Sequence, residues 1–102
     1  MNITLADCIA LCGLDEDEVA GIAEHEHMPE IAAAALAQYL LLEPGGARRI
    51  RDMLVDDFRN AKARKDEVHA RELLATLRQF AAAHRNELIA DPGTPGTESA
   101  RA

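Results

Sequence analysis

The sequence predicts an all-α fold, a single domain built as a small bundle of about five helices. Three observations carry that expectation. Hydrophobic residues make up 48% of the 102-residue chain but aromatics only 3%. Ala and Leu therefore supply most of the apolar surface, which suits closely packed helices better than a sheet, where β-branched and aromatic side chains lead. Apolar residues also recur at three- and four-residue spacing through most of the chain, and the breaks between these stretches carry residues that start and stop helices.

The elements follow in order. Thr4 is placed to cap a short first helix with Leu5, Cys8, Ile9 and Cys12 on one stripe, stopped by Gly13. Asp15 and Glu18 have the spacing of a capping box, and the acids at 15–18 suit the positive end of a helix dipole. Val19, Ile22 and Ala23 mark the buried stripe of this second helix. Pro29 disfavours helical geometry at Met28, so a break is expected near 27–28 with Pro29 opening a third helix. A kink within one longer helix is the alternative. The third helix, about 29–42, is apolar nearly all round and is expected to be the central one.

Glu43-Pro44-Gly45-Gly46 reads as a turn. A fourth helix, about 47–64, points Ile50, Met53, Leu54, Phe58 and Ala61 inward. Asp66 caps a fifth, about 67–88, with Ala70, Leu73, Leu74, Leu77, Phe80, Ala81 and Leu88 inward. The short join at Lys65 and Asp66 predicts an antiparallel pair. Residues 91–102 have the composition of a disordered tail, which leaves 1–90 as the domain. An Ala-rich core is thin, and a second copy of the chain would supply the missing burial, so a homo-oligomer is expected, a homodimer first.

Charge and length exclude several function classes. The formal net charge is −7 and the sequence pI about 4.9, which opposes nucleic-acid binding and anionic membranes. A helix-turn-helix from the second and third helices fails for the same reason, since one is acidic and the other too apolar to read bases. The apolar run at 31–37, resumed at 39–42, falls far short of the roughly 20 residues a membrane span needs. The first residues lack a basic stretch and include Asp7, so they do not read as a secretory signal. Cys8 and Cys12 would close no long loop; buried, inert thiols in a reducing, cytoplasmic compartment are the expectation, with soft metal ligands or a redox pair as the alternative. No nucleotide-binding fingerprint is present.

The densest polar cluster is Glu24-His25-Glu26-His27-Met28-Pro29-Glu30. Carboxylate and imidazole together suit iron, manganese or zinc. At about 100° per residue, Glu26 falls within the Val19–Ile22–Ala23 stripe and His27 on its flank. Glu24 falls on the far side and His25 well off the stripe. Glu30 would share the face of Glu26 if the helix kinks at Pro29. Glu26, His27 and Glu30 are therefore the expected metal ligands, with Asp57 and His69 next, contributed within one chain or across a dimer. The alternative is a solvated corner in which His caps a helix C-terminus. Glu24–His27 and Asp66–His69 also have the acid-x-x-His spacing of di-iron bundles, although Glu24 faces outward and Asp replaces Glu in the second pair. His84, alone on an apolar stripe, reads first as a hydrogen-bonded core histidine.

Arg48, Arg49 and Arg51 follow the Gly-rich turn and form the one basic patch, a candidate contact for an anion or a partner. Its alternative is a solvated face with Arg48 paired to Asp52. Two functions follow. The first is a metal-binding helical protein that stores, senses or uses a redox metal. The second is a non-enzymatic protein–protein interaction or regulatory module without metal. No nucleophile is evident, so an enzymatic role stays open.

Overall fold

The computed structural model describes Thr4 and residues 14–90. The expected first helix with its two cysteines, and the expected tail at 91–102, lie outside the described residues, Thr4 aside. Within them are five helices and no strand: α1 (Glu16–Glu26), α2 (Glu30–Leu42), α3 (Gly46–Ala63), α4 (Glu67–Ala83) and α5 (Arg85–Ala90). No helix among the described residues is long and apolar enough to cross a membrane.

Local chemistry sets each boundary. The Glu18 amide donates to Asp15 Oδ1 (2.8 Å) and the Asp15 amide donates to Glu18 Oε1 (3.0 Å), closing the capping box read from the sequence. Glu18 is buried as it does so, and burial pushes its carboxyl above the usual range. α1 stops at His27, which takes the left-handed conformation (φ 56°), while the Met28 amide reaches back to the Ala23 carbonyl (3.1 Å). Pro29 then precedes α2 as its N-cap, so the chain breaks there and does not kink.

Between α2 and α3 the chain turns on Gly45 (φ 79°). Gly46 lies so close to the Leu40 carbonyl that a Cβ would overlap it. α3 ends at Ala63, and past its C-cap Arg64 the chain turns on Lys65, also left-handed (φ 62°), with the Asp66 amide donating to the Ala61 carbonyl (2.9 Å). Asp66 then accepts from the His69 amide (3.2 Å), the cap expected for the next helix. That helix is shorter than its apolar pattern predicts. It ends at Ala83, and His84 leaves helical geometry (φ −116°, ψ 29°) before α5 begins. The reason is local. The His84 ring stacks on Phe80 with centroids 4.2 Å apart, and its Nδ1 donates to the Phe80 carbonyl (3.2 Å), a bond that competes with continuation of the helix. His84 is thus a hydrogen-bonded core histidine.

The largest core cluster joins Val19 and Ile22 of α1, Ala33, Ala34, Ala37 and Leu40 of α2, Ile50 and Leu54 of α3, and Phe80 of α4. A second, small cluster joins Ala61 of α3 to Ala70 and Leu73 of α4, with Phe58 against it. The central helix is α3, which packs against all four others. Among the described helices, the central position expected for the apolar α2 is taken by α3 instead: α2 packs there on α1 and α3, and Ile31, Tyr39 and Leu42 face outward. Its buried side is mostly alanine, which seats the helix closely without surrounding it.

Candidate functional site

Helix α1 packs against α2, α3 and α4 at once, so the arc it buries is wider than one stripe. Gly21 makes this possible. A Cβ there would overlap the Leu54 side chain and come within 3.7 Å of Asp57 Oδ2, so glycine lets α3 approach at this level without displacing Leu54. One helical turn further on, Glu24 and His25 share the Gly21 side of α1, and both face neighbouring helices.

They build two imidazole–carboxylate relays around a buried acid. His69 of α4 has both ring nitrogens on carboxylates, Nε2 on Glu24 Oε1 (2.7 Å) and Nδ1 on Glu72 Oε1 (3.2 Å). His25 has Nε2 on Asp56 Oδ2 (3.1 Å) and Nδ1 on Glu26 Oε2 (3.0 Å). A ring that donates from both nitrogens is an imidazolium. Accordingly, the hydrogen bonds to Glu24 and Glu72 raise the His69 pKa. Burial alone would lower that of His25, but its bonds to Asp56 and Glu26 more than offset this and raise it.

Asp57 of α3 lies between the relays. It is 2% exposed, and its Oδ2 is buried without a hydrogen-bond partner. Burial first, and the nearby Glu24 carboxylate second, push its carboxyl up to about 7, with His25 and His69 pulling the other way. Such a group is poised to hold a proton or to meet a cation. Asp57 lines a cleft of about 330 Å³ together with Glu24, His25, His27, Asp56, Asn60 and Arg64.

The structure brings together some of the residues expected from the sequence. Asp57 and His69 flank Glu24, and His27 lines the cleft, although it is exposed and sits in the turn after α1. Glu26 does not face the core as expected; it is exposed and touches the outer side of His25. Glu30 begins α2, half-buried, away from that cleft. Among the described residues, no three His, Cys, Asp or Glu side chains are already spaced to hold a metal ion. The sequence reading missed Glu24 and His25, because it assigned α1 a single buried stripe. Gly21, a glycine inside a helix, was the signal of close approach on that side, and Glu24 and His25 lie three and four residues beyond it.

The basic patch is dispersed. Arg48 donates from Nη2 to the Leu88 carbonyl of α5 (3.4 Å), and Arg51 pairs with Asp52 (3.1 Å), the acid expected to pair with Arg48. Arg49 is exposed. Comparison of the chain with protein-family models, curated proteins and solved structures finds no match in any of the three.

Proposed function

We propose that the protein binds a divalent metal ion, of iron, manganese or zinc type, where α1, α3 and α4 meet, for storage, sensing or redox use. Asp57, Glu24 and His69 are the ligands in this reading. They replace Glu26 and Glu30 of the sequence-derived set and leave His27 at the edge of the cleft. The observation that carries it is the buried, unpartnered Oδ2 of Asp57 beside a second carboxylate and an imidazole. An ion would supply the missing partner, and two carboxylates with a neutral imidazole suit these metals. Binding would exchange the Glu24–His69 hydrogen bond for metal bonds and displace the extra proton on His69.

The test is elemental analysis of the untagged chain, as purified and after anaerobic incubation with Fe(II), joined to thermal melts with added Fe(II), Mn(II) or Zn(II). Near-stoichiometric metal is expected. So is stabilisation of about 2.7 kcal/mol when free metal stands at ~100 times the dissociation constant, lost in Asp57→Asn and kept in His27→Ala. Absence of metal together with unshifted melts would end the proposal.

A second reading, the interaction module without metal, is favoured by the outward apolar side chains of α2. Either reading suits a cytoplasmic, reducing compartment, where two thiols close in sequence stay free.

A further inference from the structure

The cleft at Asp57 is polarised along one face of α3. Asp56, Asp57, Asn60 and Arg64 all line it, and spacings of three and four residues set them on one side of the helix. The acids come first and the hydrogen-bond donors follow. Asp57 and Arg64 stand about 10 Å apart along the axis. Helical side chains lean toward the N-terminus, the direction in which Asn60 and Arg64 meet the acids. Asp56 is paired with His25 (3.1 Å), whereas Asp57 Oδ2 is buried with no partner. Among the described residues, the Asn60 side chain and the Arg64 guanidinium have no hydrogen bond or ion pair either. The cleft, of about 330 Å³, has the size of a small-molecule site and is roomier than one bare ion needs.

We infer that this cleft takes its metal ion together with a small oxyanion, a carboxylate or a tetrahedral anion of sulfate or phosphate type, held by the ion on one side and by Arg64 and Asn60 on the other. The inference rests on the metal reading of the same site. Asp57, Glu24 and His69 supply three protein ligands, and a three-ligand site keeps a coordination position open to an outside group. Charge points to what fills it. A divalent ion offsets Glu24 and Asp57, and His25 offsets Asp56. The Arg64 charge then faces the cleft with no carboxylate bonded to it. Its planar fork of N–H donors, with the amide of Asn60 one helical turn before it, matches the oxygens of a carboxylate or a tetrahedral anion. Without the ion, the carboxylates of Glu24, Asp56 and Asp57 repel an anion, so each ligand completes the place of the other. Such coupling is reciprocal: an anion that tightens metal binding is itself held more tightly once metal is present, by the same factor.

Equilibrium dialysis of the full untagged chain against Zn(II) and against Mn(II) tests it, in perchlorate, sulfate or formate at equal ionic strength, with free metal corrected for its complexes with the anion. Wild type, Arg64→Gln and Arg59→Gln are compared. Arg59 is exposed on α3 and does not line the cleft, so it controls for the loss of one charge. Arg64 is exposed too, and melts of its metal-free variant should match the wild type. The wild type should bind metal at least about fivefold more tightly in sulfate or in formate than in perchlorate, and the more effective anion assigns the class, tetrahedral or carboxylate. Arg64→Gln should lose that gain, yet in perchlorate bind metal as tightly as the wild type or more so, because a cation near the ion is gone. Arg59→Gln should keep the gain. Metal uptake indifferent to the anion, or a gain that Arg64→Gln retains, overturns the inference and leaves the metal site standing. A chain that takes up neither metal in any of the three salts overturns both.

Discussion

Replacing Asp57 by Asn should stabilise the metal-free protein at alkaline pH, although it alters a fully buried side chain. The carboxyl is raised from 3.8 in the unfolded chain to about 7 in the fold. That difference corresponds to about 4 kcal/mol against the ionised form. The sign follows from proton binding. Between these two pH values the folded state holds the proton more tightly, so the contribution of Asp57 to stability is greatest below pH 3.8 and is lost as pH rises through about 7. Asn has nearly the same shape and no charge. Its amide inherits the unpartnered position of Oδ2, which costs about 1–3 kcal/mol. The net gain at pH 8 should therefore be about 1–3 kcal/mol, read as a rise in Tm of roughly 4–8 °C for each kcal/mol. Thermal and urea melts of both proteins in chelator at pH 8 and pH 5 measure it. The gain should shrink towards pH 5. A loss of stability at pH 8, or a gain equal at both pH values, would refute the picture of an unpaired buried carboxylate.

Four other substitutions probe the frame. Gly46→Ala should cost about 3 kcal/mol, because its Cβ would overlap backbone atoms of Leu40 that cannot swing away; denaturant melts report it. Asp15→Ala removes one half of the capping box and should cost about 1 kcal/mol, seen in the same melts. Phe80→Ala opens a cavity in the main core and strips the His84 ring of its stacking partner, for a loss of about 3–5 kcal/mol. Lys65→Gly should raise Tm, since Lys65 holds a left-handed conformation that costs an L-residue roughly 1–2 kcal/mol.

What could be read in advance depended on how local the cause was. The capping box at Asp15 and Glu18, the stop at Pro29 and the Asp66 cap depend on a few adjacent residues and were legible as such. The apolar stripes of α1, α3 and α4 were legible because periodicity reports one buried face. The end of α4 was not. His84 fits the apolar stripe by spacing, and its bond to the Phe80 carbonyl is a choice of rotamer that spacing does not encode. The place of α2 was misjudged because an apolar helix signals burial without saying what buries it. The site was half legible. Asp57 stood out as a polar residue beside an apolar stripe and His69 by its spacing from Asp66, whereas Glu24 and His25 acquire partners 45 and 31 residues away. Only the packing of three helices around Gly21 brings those partners near.

The position of α3 has a consequence for how the molecule opens. Because α3 touches every other described helix, no large part of the fold can separate without disturbing it. Its amides should exchange with solvent only through global unfolding and so report the full stability of the chain. α5 stands at the other end of that hierarchy. It is six residues long and, among the described helices, packs on α3 and α4, held by Leu88 against the main core and by a long bond from Arg48 to the Leu88 carbonyl. Its amides should lose protection first, in a fluctuation that leaves the acid–imidazole junction intact.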